Sequence, residues 1–387
     1  MLDDLLQDLV GAAAVAALLD LPVVLVVEAS RQAGSLAALV RGFRDHGPPR
    51  IQLAGVVLNR VGSERHHALL AEALAAIEVP LLGVLPHHPA LELPSRHLGL
   101  LPPQELSDLG ERQRIWADLA ASHLDMERLW PLLAPASSGA GGAAPGRDPI
   151  QWLLGGGNPA PEQPAAARPQ PAAVAIASDQ AFHFRYPEAA ELLRALGLDP
   201  IPWSPLADQP LPDGCRAVLL PGGYPELHAA ELAASSRSLT ALRQAARDGL
   251  PLVAECGGLL LLGQQLHDPQ GRPHAMAGLL PFSARRGSLS LGYREAIVSS
   301  DGLLLRRGER LWGHEFHRWQ LDPLAASAGL WQVEGWGSPA RSEGWTAANL
   351  HASWLHLHWA GCPAIPRRLA AAVQGVGYRA SYCGNDP

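Results

Sequence analysis

The chain has 387 residues, 48% of them hydrophobic and 17% charged, which is enough for two or three packed domains and excludes wholesale disorder. Its net charge is −7 and all 30 basic residues are arginine, which argues against nucleic acid as the main partner because a phosphate-binding surface needs a concentrated basic face. The acidic opening MLDDLLQDLVG does not read as a secretory signal, no apolar run reaches the roughly 18 residues of a membrane span, and the expected location is the cytoplasm.

The first segment alternates strand and helix patterns. LPVVLVVEAS (21–30) is a β-branched apolar run that reads as a strand buried on both faces, followed by a helical pattern in SLAALVRGFRDHG that Gly47 and Pro48 end. IQLAGVVLNRV is a second strand, HHALLAEALAAIEV a second helix and PLLGVLPHH a third strand. Short loops in strand–helix–strand order predict a parallel α/β sheet over residues 1–134. Residues 135–172 are rich in Pro, Gly and Ala with one short apolar interruption, and read as a linker. From 173 to 387 the α/β theme returns: AAVAIASD as strand, YPEAAELLRALG as helix, CRAVLLPGGYPE as strand and turn, SLTALRQAARDG as helix. Beyond residue 290, Trp- and Gly-rich segments read as antiparallel strands and loops.

The four cysteines (Cys215, Cys256, Cys362, Cys383) form no C-x-x-C pair and are poor evidence for a disulfide framework or a structural zinc. Cys256 differs from the others in its setting, PLVAECGGLLLLG (251–263). A strand through Glu255 and a helix from Gly257 place its thiol at the carboxyl edge of a sheet, where open parallel sheets hold ligands. The helix N-terminus favours thiolate there, and Gly257 and Gly258 remove Cβ atoms and permit unusual backbone angles. An inert buried cysteine is the competing reading. PGGYPE (221–226) follows another strand, so amides of Gly222 and Gly223 reach the same edge and, with that of Gly257, form a candidate oxyanion hole; alone the stretch is an ordinary turn. In SWLHLHW (353–359), alternation puts His356 and His358 on one strand face, as a base for the thiol, as packed core or as two ligands of a metal that lacks a third.

The ordered stretches PGGYPE, AECGGLLLLG (254–263), LGYREA (291–296), GHEFHRW (313–319) and SWLHLHW resemble the class I glutamine amidotransferase domain of the cobyrinate a,c-diamide synthase family, which acts in cobalamin biosynthesis. LPVVLVVEAS, VRGF, LAGVVLNRVGSERH and LPSRHLGLLP (93–102) extend the likeness into the first segment. The resemblance implies two domains: an incomplete parallel-sheet nucleotide-binding domain of the synthetase type, then the amidotransferase domain. It implies that Cys256 attacks the carboxamide of L-glutamine and that His356, the position matching the family's single histidine, moves the proton. His358 stands where many class I enzymes have the triad's Glu, and His314, Glu315 and His317 of GHEFHRW line the approach to the active site or an interface between domains.

The same resemblance implies ATP and Mg²⁺, which activate two acetate side chains of a corrin acid for amidation. That chemistry uses a G-x-x-x-x-G-K-[ST] loop, which a chain without lysine does not contain. The loop is expected upstream of Met1, in a mis-called or truncated start or in a separate synthetase half, and the incomplete first segment is expected to be poorly soluble alone. Asn59 and Arg60 resemble the adenine-contacting position, and Glu28 stands where the family has a strand-end Asp. Homo-oligomerisation, a cobyric acid synthase-like acceptor, a generic Cys–His hydrolase and a catalytically silent assembly protein are the rival expectations.

Overall fold

Residues 12–47, 50–94, 103, 106–133, 148–155, 171–322 and 329–375 are described by a computed structural model. The chain forms two compact units, Met1–Gly142 and Ala143–Pro387. Among the described residues no helix is long and apolar enough to cross a membrane.

In the first unit, α1 (Ala12–Leu18), β1 (Pro22–Glu28), α2 (Ser35–Asp45), β2 (Gln52–Val61), α3 (Glu64–Ala75) and β3 (Leu81–Pro86) build a three-stranded parallel sheet of order β1-β2-β3. The period-2 geometry of β2 explains its apolar run. Val56 and Leu58 pack on one face with Leu36 and Val40 of α2 and Leu70 and Leu74 of α3, while Val57 points to the other, with Leu82 and Leu129. That second face is covered by α4 (Leu109–His123) and α5 (Met126–Leu133), from which Leu129 comes. β1 is an edge strand, and its Val26 is 62% exposed. Most of the stretch LPSRHLGLLP lies outside the described residues.

The apolar interruption in the expected linker is a helix, α6 (Pro149–Leu154). Asp148 caps it by accepting the Ile150 amide at 2.9 Å, and Ile150, Leu153 and Leu154 pack on the core of the second unit. Proline at the first helical position and a capping Asp explain why six residues suffice.

The second unit is built from β4 (Ala172–Ala177), α7 (Pro187–Ala195), β5 (Leu198–Trp203), β6 (Cys215–Leu220), α8 (Ala229–Ala234), α9 (Ser236–Arg247), β7 (Leu252–Glu255) and α10 (Gly257–Leu262). β8 (Gln265–His267), β9 (Pro273–Ala275), β10 (Ser283–Val298), β11 (Arg310–Asp322), β12 (Trp331–Gly335), β13 (Ser338–Glu343), β14 (Trp345–Ala347), β15 (Leu350–Ser353) and α11 (Ala364–Gln374) follow. One six-stranded sheet has the order β14-β15-β7-β6-β4-β5 and is parallel except at β14. Ala175, Ala177, Val218, Leu220, Leu252 and Ala254 line one face, and Val174, Ile176, Ala217, Leu219 and Val253 the other, so this sheet is buried on both sides. A second, mostly antiparallel sheet is organised around the long β10–β11 pair.

One expectation changes here. The helix expected over GGLLLLGQQL (257–266) ends at Leu262, because the Gln264 amide donates to the Phe282 carbonyl at 2.8 Å and the chain becomes β8. LDPIPW (198–203), with two prolines, is a strand, tolerated because β5 is at the sheet edge and needs no outward donor.

Candidate active site

The carboxyl ends of β6, β7 and β15 are neighbours in the sheet, so the turn after β6, the junction after β7 and the segment after β15 meet at one edge. Cys256 occupies the β7–α10 junction with φ 48° and ψ −108°. The unusual backbone angle therefore sits on the cysteine itself and not on the glycines that follow. A side chain in this region stores about 1–3 kcal/mol of strain. The glycines have a steric role instead. A Cβ on Gly258 would stand 1.9 Å from the Leu220 carbonyl oxygen, and one on Gly257 would stand 2.8 Å from the Gly223 nitrogen.

The turn after β6 is pinned from the other side. The Gly222 carbonyl accepts the amides of His183 (3.0 Å) and Phe184 (2.9 Å), and a Cβ on Gly223 would stand 2.0 Å from the Ala181 oxygen. A Cβ on Gly222 would lie 2.5 Å from His356 Cε1. The 221–223 turn thus touches both the Cys256–Gly257 junction and the His356 ring, which brings Cys256, His356, Gly222, Gly223, Gly257 and Gly258 into one cluster. Gly257, as the first residue of α10, has no intrahelical acceptor for its N–H.

The segment after β15 is tied at successive residues. The Cys256 amide donates to the Ser353 carbonyl at 2.8 Å. Ser353 Oγ donates to Glu343 Oε2 (2.7 Å), the Trp354 amide to Glu343 Oε1 (2.9 Å), and the Leu355 amide to Ser353 Oγ (2.9 Å). These bonds end β15 at Ser353. His356 and His358 consequently do not share a strand face. His356 is 7% exposed and turned to Gly222; His358 is exposed, hydrogen-bonded to Glu188 of α7 and 4.6 Å from the Tyr186 ring centroid.

GHEFHRW lies within β11 and forms one wall. Cys256 Sγ is 3.9 Å from the Phe316 oxygen, and the His314 ring stacks on that of His356 with centroids 4.9 Å apart. His317 stacks on Trp354 at 3.8 Å, with Nε2 3.6 Å from Glu315 Oε2. Glu315 is fully buried, accepting from Ser290 Oγ (2.6 Å) and Arg294 Nε (2.7 Å) and pairing with Arg341. Burial pushes its carboxyl up, but the nearby His317 ring, the Ser290 hydrogen bond and the Arg341 charge outweigh burial and hold it well below the usual carboxylate range.

The thiol is not a standing thiolate. Burial pushes Cys256 well above the ordinary thiol value. The Glu226 charge adds to this, the Gly257 amide opposes it, and Glu255 and Glu315 add further. The favourable helix terminus expected from sequence is thus outweighed by desolvation and acidic neighbours. Burial raises Glu226 to about 7, and raises Glu255 to about 8 against the pull of the Leu357 amide. Burial also lowers His356 to about 3, with His314 and His317 adding to it. A neutral thiol and a neutral imidazole therefore stand at this edge of the sheet. Sequence reasoning had not separated out Glu226, Glu255 and the Phe316 carbonyl, although the first two stand inside the motifs PGGYPE and AECGG.

At the carboxyl edge of the first unit's sheet, Glu28 pairs in register with Asn59. Glu28 accepts the Ser30 amide at 2.9 Å, and Arg60, with φ 60°, lies 3.7 Å from Glu28 and 3.2 Å from Glu92. These residues do not fit a triphosphate. Two carboxylates engage Arg60, and the chain has no lysine to hold phosphate oxygens. Among the described residues, no group of three or more His, Cys, Asp or Glu side chains is placed to hold a metal ion.

Comparison with known proteins agrees first on the class. Residues 173–363 match the CobB/CobQ-like glutamine amidotransferase domain, and residues 8–101 match the CobQ/CobB/MinD/ParA nucleotide binding domain. The chain is 43% identical over 374 residues to a cobyrinate a,c-diamide synthase of Gloeobacter violaceus, covering 95% of this chain and 77% of that protein. It is 39% identical to a cobyrinate a,c-diamide synthase of Synechococcus (95% and 77% covered), and 41% identical to a hydrogenobyrinate a,c-diamide synthase of Streptomyces coelicolor (93% and 76% covered). The chain belongs to the cobyrinate/hydrogenobyrinate a,c-diamide synthase family.

Proposed function

We propose that this protein hydrolyses L-glutamine at Cys256 and delivers the ammonia to the a and c acetate side chains of cobyrinate or hydrogenobyrinate. The observation that carries the reading is the convergence of a strained, glycine-flanked thiol, a buried neutral imidazole and the amides of one turn at the edge of a parallel sheet. Such an arrangement suits acyl transfer from an amide.

In this reading Cys256 Sγ attacks the carboxamide carbon while His356 takes the thiol proton. The oxyanion is met by the N–H groups of Gly223 and Gly257. His356 returns the proton to the departing nitrogen, ammonia leaves, and a thioester remains on sulfur. Water then attacks the thioester, giving its proton to the same ring; glutamate departs and the thiol is restored. The turn at Gly222 sets where the imidazole can sit. Gly222→Ala would put a methyl 2.5 Å from His356 Cε1, and the displacement is expected to lower ammonia release about 100-fold. Unchanged release in a folded Gly222→Ala protein would remove the turn from the mechanism.

Amidation also needs an activated carboxylate, and ATP with Mg²⁺ is the activating pair in this reading. The phosphate loop it requires is absent from these residues, so the test supplies a separate synthetase half. With ATP, Mg²⁺ and glutamine, cobyrinate or hydrogenobyrinate should gain two amides, whereas the acceptor of cobyric acid synthase should gain none. Selective 1:1 labelling of Cys256 by a glutamine-analogue diazoketone is expected of the full chain, and a silent assembly protein would show none.

A further inference from the structure

A base that shuttles a proton must be held in plane, and a carboxylate hydrogen-bonded to the far ring nitrogen is the usual means. Here the residue two positions beyond His356 is His358, which faces Glu188. The neighbours that act on the charge of His356 are His314 and His317, with no carboxylate among them.

The ring is instead held by two contacts. One is with Gly222, where a Cβ would stand 2.5 Å from Cε1 and 3.4 Å from Nε2. The other is the stacked His314 imidazole, with centroids 4.9 Å apart and planes 15° from parallel. The main chains of the same two residues exchange hydrogen bonds, His356 N–H to the His314 oxygen at 2.8 Å and His314 N–H to the His356 oxygen at 3.3 Å. Gly313 permits that approach, since a Cβ there would be 2.8 Å from the His356 oxygen. β11 therefore holds both the backbone and the ring of His356.

We propose that His314 is the positioning residue of the site, fixing the catalytic imidazole by stacking in place of a hydrogen-bonded carboxylate. This rests on the glutaminase reading above. The two devices differ in chemistry. A carboxylate raises the basicity of its histidine, whereas a stacked second histidine resists a positive charge beside it. Among the described residues, the ionisable groups that act on His356 are His314 and His317 from β11, and the 221–223 turn contributes none. Glu315, between the two histidines in sequence, is committed to Arg294 and Arg341.

The test measures the rate at which a glutamine-analogue diazoketone alkylates Cys256 in the full chain, followed by mass spectrometry against pH and reagent concentration. His314→Ala should slow the maximal rate at least about tenfold, with half-saturation changed less than about twofold. His314→Phe keeps a stacking face and removes the charge. It should recover to within about threefold of wild type, with the acid limb of the profile moved to higher pH, because burial still depresses His356 but the added repulsion from His314 is gone. Melting curves identify a variant that has lost its fold, and the Phe variant then carries the test. Wild-type rates in His314→Ala, or a folded Phe variant as slow as Ala, would overturn the assignment. Slow labelling of His356→Ala beside normal labelling of His314→Ala would sink this inference alone. Labelling of wild type and His356→Ala at equal rates, or no labelling of wild type, would sink the glutaminase reading and this inference with it.

Discussion

Cys256→Ala is expected to bring ammonia release from L-glutamine down to background, a loss of at least about 10³-fold, because no other group at the site can form the acyl intermediate. Cys215, the other free thiol among the described residues, lies at the start of β6, opposite the carboxyl edge. The same position should show a conflict between stability and activity. The positive φ of Cys256 costs a β-carbon-bearing residue about 1–3 kcal/mol. Cys256→Ala keeps that strain, whereas Cys256→Gly relieves it at some cost in chain entropy. Cys256→Gly should therefore be as inactive as Cys256→Ala yet more stable than it by about 1 kcal/mol. Residual glutamine hydrolysis in the Ala variant would remove the nucleophile from the mechanism. A glycine variant melting below the alanine variant would show that the elbow is not strained.

The thiol's location was legible in sequence because each part of it is local: an apolar β-branched strand, two glycines and a leucine-rich helix start. The turn at 221–223 was legible for the same reason. The position of His358 was not. SWLHLHW alternates as a strand would, and the strand stops at Ser353 because Glu343 takes the Ser353 hydroxyl and the Trp354 amide. That bond comes from another strand and leaves no mark on the local pattern. The protonation state of the site was likewise hidden. A helix N-terminus next to a cysteine suggests thiolate, but burial and the carboxyls of Glu226, Glu255 and Glu315 decide otherwise, and their convergence is tertiary.

Arg368→Met is the substitution expected to cost most in folding. Arg368 in α11 and Glu309 before β11 form a two-pronged pair at 2.7 and 2.6 Å, with side-chain exposures of 1% and 0%. Arg368 Nη1 also donates to the Leu304 oxygen at 2.9 Å, and Glu309 Oε2 accepts the Arg306 amide at 2.8 Å. The pair thus fastens the last described helix to the turn between β10 and β11, the second of which walls the site. Taking the cation away strands a carboxylate inside the protein, which costs about 3–5 kcal/mol, or roughly 10 °C in Tm for a domain of this size. Replacing both partners removes the buried charge altogether. Glu309→Leu with Arg368→Met should therefore recover at least about half of that loss, through the better balance of apolar packing against desolvation. A single mutant melting within about 2 °C of wild type would show that water reaches the carboxylate. A double mutant as unstable as the single would locate the cost in the lost Leu304 and Arg306 backbone bonds rather than in the unpaired charge.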